Sequence, residues 1–237
     1  MTTKSEKKRQ IIAIGGGGFG RNPNGRKIES YILEQTGLEK PNICFIPTAS
    51  AENPSYIVNF YTCFSKLSCN PVHLNFFERT PNLRSFLAKQ DVIYVGGGNT
   101  KSMLAVWREW HLDELLLKAY EKGVVLCGVS AGAICWFEKG VTDSWASSLN
   151  VLGGLNFIKE TACPHYDGEK DRRPSVHAMI EDKKFESCYA AEDGAAMHFI
   201  NEQFHHVVSF EKEKTAYLVK KEGGNIVEEK LKTVSIV

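Results

Sequence analysis

The pentapeptide Gly128-Val129-Ser130-Ala131-Gly132 sets a serine between an apolar run, Val124-Val125-Leu126-Cys127, and a helix-compatible stretch from Ala131 to Glu138. A serine on such a strand-to-helix turn is a nucleophile elbow. Its hydroxyl stands at the carboxyl edge of a sheet, and the N–H groups that open the next helix point at the reacting centre. The chain reverses so sharply there that small neighbours are required, and Gly128, Ala131 and Gly132 supply them. The chemistry that suits this arrangement is acyl transfer by an activated hydroxyl. The same pattern also arises by chance, as a tight packing turn or a phosphate cradle, so its surroundings decide.

A serine hydroxyl at neutral pH needs a base within hydrogen-bond reach, and the base needs an orienting group. Of seven histidines, His73 and His111 lie in or before the elbow half, His177 falls in a helical pattern, and His198, His205 and His206 belong to a strand-rich tail. His165 stands apart in Cys163-Pro164-His165-Tyr166-Asp167-Gly168, a loop punctuated by Pro and Gly after a predicted strand. Asp143 is the preferred orienting carboxylate, because Val141-Thr142-Asp143-Ser144 follows the elbow helix past a turn at Gly140; Glu138 and Asp167 are its rivals. The developing oxyanion needs two N–H donors. Ala131 supplies one, and Gly97 or Gly98 in Gly96-Gly97-Gly98-Asn99-Thr100 supplies the other, although that loop also reads as a helix start capped by Asn99 or Thr100.

The elements that must position these groups follow from periodicity. Ile11 to Ile14, Ile43 to Ile46, Val72 to Leu74, Val92 to Val95 and Val124 to Cys127 are short, nearly uncharged runs, as in parallel strands covered on both faces. Between them Lys27 to Gln35, Tyr56 to Leu67, Leu83 to Ala88 and Thr100 to Glu121 carry apolar residues at helical spacing. This alternation predicts an α/β fold, a doubly wound, mostly parallel sheet flanked by helices. Ligands of such sheets bind outside the carboxyl ends of the strands, so Gly15-Gly16-Gly17-Gly18, Pro47-Thr48-Ala49-Ser50, the Gly96 loop and the elbow should face one another. After Asp143 the pattern turns to shorter strands and one helix, Pro174 to Asp182, read as an antiparallel C-terminal extension of the same sheet within one domain over 1–237.

The bulk numbers exclude several classes. Lys and Arg total 29 against 28 for Asp and Glu, which gives no basic field for nucleic acid. The polar Met1 to Gln10 lacks a signal-peptide core and no stretch is apolar enough to span a membrane, so a cytoplasmic protein with a small-molecule or peptide partner is expected. Seven scattered cysteines without a C-x-x-C pair suggest neither a disulfide framework nor a zinc site. The second strand ends in Pro47-Thr48-Ala49 rather than an acid, which argues against a dinucleotide cofactor.

With G-V-S-A-G-A at Ser130, the G-G-G-N-T loop before it and C-P-H-Y-D-G after it, nearly the whole chain resembles peptidase E, the aspartyl dipeptidase family of serine peptidases (family S51), whose fold is similar to class I glutamine amidotransferases. The resemblance implies an exopeptidase that removes N-terminal aspartate from dipeptides through a Ser-His-Asp or Ser-His-Glu triad, with no metal or cofactor. By motif Ser130 is the nucleophile and His165 the base, with Asp143 third and Glu138 behind it. An aspartyl side chain calls for a cation, and Arg172 and Arg173 lie in a region similar to the one where the family carries a substrate-binding arginine. Glu192, in Glu192-Asp193-Gly194, is a candidate for the substrate α-amino group, or simply part of a turn. Rival readings keep the fold: an esterase, amidase or cyanophycinase-like hydrolase on the same triad, or a catalytically silent binding protein, as a monomer or homodimer.

Overall fold

The computed structural model describes residues 8–146 and 148–237; residues 1–7 of the polar amino-terminal segment lie outside the described residues. The first half runs β1 (Gln10–Ile14), α1 (Lys27–Glu34), β2 (Asn42–Ile46), α2 (Pro54–Phe64), β3 (Asn70–His73), α3 (Leu83–Leu87), β4 (Val92–Val95), α4 (Thr100–Glu109), α5 (Leu112–Glu121) and β5 (Val125–Val129). The second half runs α6 (Ala131–Ile134), β6 (Phe137–Thr142), β7 (Asn150–Gly153), β8 (Ile158–Cys163), α7 (Arg172–Glu181), β9 (Ser187–Ala191), β10 (Ala195–Ile200), β11 (Gln203–Ser209), β12 (Ala216–Glu222), β13 (Asn225–Lys230) and β14 (Thr233–Ser235).

The doubly wound sheet is an eight-stranded one in the order β14-β11-β10-β1-β5-β4-β2-β3. Its strands β1, β5, β4, β2 and β3 are parallel neighbours. Apart from the edge strand β3, their side chains alternate between two covered faces, which is why the strands read as continuous apolar runs. Ile11, Ala13, Ile46, Ile93 and Leu126 join one core with Met103, Trp107, Leu112 and Leu116 of α4 and α5. Ile12, Ile14, Phe45, Tyr94 and Cys127 join the other, with Ile28 and Ile32 of α1 and Phe60 and Phe64 of α2. Ile14 is level with Val129 and Val95 with Gly128, so the loops leaving β1, β4 and β5 open along one edge.

Three details differ from the sequence reading. Thr100 to Glu121 is two helices, because continuing the Leu104-Trp107 stripe would point His111 inward; His111 instead takes a left-handed φ of 51° and re-phases Leu112 and Leu116 into the core. The elbow helix is only Ala131–Ile134, and Glu138 lies exposed on a strand, β6. The tail also divides. β10 extends the first sheet antiparallel to β1 and β11 antiparallel to β10, whereas β6 to β9, β12 and β13 build a second sheet in the order β13-β12-β9-β8-β6-β7. Trp136 and Phe157 join the two by packing with Trp107 in a common core. Among the described residues, no helix is long and apolar enough to cross a membrane.

Candidate active site

Ser130 leaves β5 at φ 56° and ψ −111°, a strained conformation for a residue with a side chain. The strain is held by close backbone packing: a Cβ on Gly132 would lie 2.1 Å from the Val95 carbonyl oxygen, so only glycine lets α6 turn back against β4. Ser130 makes no capping hydrogen bond to its own helix, which leaves its hydroxyl for an outside partner. Ala131 is the first helical residue, so its N–H has no partner within the helix.

Three successive carbonyls at the carboxyl end of β1 assemble the rest. Ile14 accepts the Ser130 N–H at 3.0 Å, Gly15 the His165 N–H at 3.2 Å, and Gly16 the Gly194 N–H at 2.9 Å. The nucleophile elbow, the His165 loop and the turn after β9 are therefore pinned to adjacent peptide units. A Cβ at Gly16 would lie 1.8 Å from Asp193 Oδ1 and 2.7 Å from His165 Nδ1, so the bare glycine backbone forms the floor beneath these two side chains.

His165 Nδ1 lies 2.6 Å from Asp193 Oδ1. Burial works against ionisation of Asp193, yet hydrogen bonds from His165 and from Arg21 outweigh it and hold the carboxyl down at about 2. Arg21 Nη1 stands 2.6 Å from the second oxygen, Oδ2. An ionised carboxylate only accepts, so His165 Nδ1–H is the donor in this bond, and in the neutral imidazole the lone pair falls on Nε2. The Asp193 N–H donates to Asp167 Oδ1 at 2.9 Å, and Lys214 pairs with the other Asp167 oxygen. Tyr166, beside His165, is buried, and its hydroxyl donates to Glu228 at 2.6 Å; this carboxylate also meets His177 Nε2 at 2.7 Å.

The remaining sequence candidates fall into two groups. Gly97 comes to the nucleophile: a Cβ there would be 3.3 Å from Ser130 Cβ, and its N–H faces Tyr56 Oη at 3.4 Å. Gly98 turns the chain with φ 137° and backs onto the Ala49 carbonyl, while Asn99 Oδ1 caps α4 by accepting the Ser102 N–H at 2.9 Å.

Asp143 does not reach His165. Its side chain is 67% exposed and its nearest cation is Arg172 Nη2 at 3.6 Å, because β6 runs on from the short elbow helix and carries Asp143 to the far end of that strand. Glu138, on the same strand, points into solvent. Arg172 is 3% exposed and engaged by Glu169 at 2.7 Å and the Val141 carbonyl at 3.2 Å, the setting of a structural brace. Arg173 lies over the Tyr166 and Tyr217 rings and pairs with Glu228 at 3.2 Å. Glu192 is buried and accepts from the Thr215 N–H at 3.0 Å and the Tyr217 hydroxyl at 3.3 Å, which makes it a brace of the turn.

Sequence reasoning missed Asp193 in this position and Arg21 altogether. Asp193 had a signal, an acid before glycine in a turn that closes a strand; Arg21 had none. Among the described residues no group of three or more His, Cys, Asp or Glu side chains is placed to hold a metal ion.

The model of peptidase family S51 matches residues 11–207. The chain is 52% identical over 212 residues to the uncharacterized peptidase YgaJ of Bacillus subtilis (strain 168), covering 89% of this chain and 92% of the relative. It is 30% identical over 142 residues to the uncharacterized peptidase Lin0382 of Listeria innocua, covering 56% of this chain and 68% of that one. Its fold is similar to the crystal structure of a peptidase from an acI-B1 Actinobacterium, with a TM-score of 0.72, 14% identity and 98% of each chain covered.

Proposed function

Because this chain belongs to peptidase family S51, we propose that it is a serine peptidase in which Ser130 is the nucleophile, His165 the general base and Asp193 the orienting acid. The observation that carries the reading is the pinning of the Ser130 elbow, His165 and the Asp193 turn to three successive peptide units of β1. Groups that act together in a triad need such shared, rigid support, since small displacements are costly to rate.

In the mechanism His165 Nε2 takes the Ser130 proton as Oγ attacks the peptide carbonyl, a contact that tightens when substrate is bound. The imidazolium so formed is stabilised by ionised Asp193 across the 2.6 Å hydrogen bond. The negative oxygen is received by the N–H groups of Ala131 and Gly97, the latter released from Tyr56 Oη. His165 then protonates the leaving amine nitrogen as the C–N bond breaks, leaving an acyl ester on Ser130. Water, deprotonated by His165, attacks that ester and restores the serine hydroxyl. The substrates are short peptides, and in line with the peptidase E resemblance those with an N-terminal aspartate. Seven buried, unpaired thiols suit a reducing compartment such as the cytoplasm.

The test is hydrolysis of Asp-Leu, Glu-Leu, isoAsp-Leu and Ala-Leu by the wild type and by Ser130→Ala. Cleavage of Asp-Leu should fall by roughly 10⁴- to 10⁶-fold in the variant, as in other triads, with an unchanged melting temperature. Equal rates in the two proteins would overturn the mechanism.

A further inference from the structure

With Arg172 sealed beneath α7 and Arg173 spread over two tyrosine rings, the residue that meets an acidic side chain must be sought elsewhere. Arg21 is the cation in direct contact with the acid of the proposed triad, at 2.6 Å, and its side chain is nonetheless 60% exposed. Asp193 presents one oxygen to His165 and the other to Arg21, so imidazole and guanidinium are one carboxylate apart.

The loop that carries Arg21 spans the crevice. On one side Gly16 lies under His165 and Asp193; on the other Gly20 packs so closely on Tyr56 that a Cβ would come within 2.9 Å of its ring. Tyr56 in turn holds the Gly97 N–H beside Ser130. Arg21 thus stands where the chain crosses from the acid–base side of the nucleophile to the oxyanion side. Only Nη1 bonds Asp193, which leaves the other guanidinium N–H donors of a mostly exposed fork for a second carboxylate. Other charges face this corner: Asp167, held by Lys214, accepts the Asp193 N–H, and Glu211 packs against Gly194 and Gly17.

We infer that Arg21 is the specificity-determining residue for the side-chain carboxylate of an N-terminal acidic residue, bridging that carboxylate and Asp193. The inference rests on the serine-peptidase reading and adds a link between recognition and catalysis. A substrate that carries the carboxylate shares the guanidinium with Asp193 and so is fixed relative to His165; a neutral substrate leaves Arg21 on Asp193 alone.

The experiment compares kcat/KM for Asp-Leu and for its neutral isostere Asn-Leu in the wild type, Arg21→Gln, Arg21→Lys and Ser130→Ala, with labelling of Ser130 by a fluorophosphonate. The wild type should prefer Asp-Leu, and Arg21→Gln should shrink the Asp-to-Asn ratio roughly 10- to 100-fold, the range that charge-assisted hydrogen bonds support. Arg21→Lys should restore part of the ratio. Competitive inhibition by succinate, relative to neutral succinamide, should weaken in parallel, which a merely structural arginine would not cause. A wild type without acidic preference, or a preference that survives in Arg21→Gln, overturns the inference while the peptidase reading stands on Ser130 dependence. A wild type that neither cleaves a dipeptide nor labels at Ser130 overturns both.

Discussion

The proposed nucleophile and its acid–base partners come from parts of the molecule built by different rules. Ser130 ends a strand of the parallel sheet, whose strands β1, β5, β4 and β2 are covered on both faces and level at their carboxyl ends. His165 and Asp193 follow β8 and β9 of the second sheet, 28 residues apart, and meet only because both loops fold back onto β1. In the parallel half, position along the chain predicts position in space: loops after strands face one crevice. In the second half it does not, and Asp143, nearer in sequence to the elbow, ends up on Arg172.

The sharpest way to break this contrast is to exchange the two acids in turn. Asp193→Asn should lower kcat by about 10⁴-fold, as expected when the base loses its orienting carboxylate, whereas Asp143→Asn should leave kcat within about threefold. Steady-state kinetics on Asp-Leu decides, and the reverse order would return the triad to the chain-local carboxylate. Next in size is Gly132→Ala in the parallel half. The new methyl group meets the Val95 carbonyl rather than a movable side chain, so the elbow must shift. We expect a loss of about 1–3 kcal/mol in urea unfolding together with reduced Ser130 labelling.

For the second half, Arg172→Met tests whether the arginine braces or binds. Losing its bonds to Glu169 and Val141 should cost about 1.5–3 kcal/mol of stability, with KM for Asp-Leu changed by no more than about twofold. A tenfold rise in KM at unchanged stability would make it a substrate ligand.

The effects of pH, the smallest per unit of change, carry opposite signs. Burial raises Glu29, which accepts the Phe19 N–H at 2.6 Å, from 4.5 to about 7. The native state then keeps a proton that the unfolded chain releases, so this group's contribution falls as pH rises from about 4.5 to about 7. Burial, with His206, His205 and Lys8 nearby, lowers His198 from 6.5 to about 3. There the unfolded chain gains the proton, and stability falls as pH drops below about 6.5 toward 3. Each slope is at most about 1.4 kcal/mol per pH unit. Urea unfolding across pH 4.5–7 should show Glu29→Gln gaining on the wild type as pH rises; a constant difference would place an ordinary carboxylate there.

The parallel half was legible because its signals are local. Apolar runs of strand length, helical stripes and the small residues around Ser130 each reflect burial or backbone collision within a few residues. His165 was legible for a related reason: Pro164 and Gly168 mark a loop whatever it packs against. Asp193 was not, since its role comes from β1 and β9 meeting through the Gly16–Asp193 bridge, which no local pattern records. Glu192, beside it, drew attention as a carboxylate but is consumed by Thr215 and Tyr217. The second sheet stayed hidden because Phe137 and Glu138, the start of β6, continue directly from the elbow and read as more helix, and Gly140 reads as a turn although it lies within the strand, packed against Ile134.

The triple attachment to β1 also bears on the order in which the protein is made. β1 is made before its partners β5 and β10, which follow more than a hundred and about 185 residues later, and Asp193 comes only just before β10. The proposed hydrolytic centre therefore cannot close before β10 is made, however well the parallel half has folded. Assembly of the proposed triad thus reports that the loops after β8 and β9 have docked on the first strand.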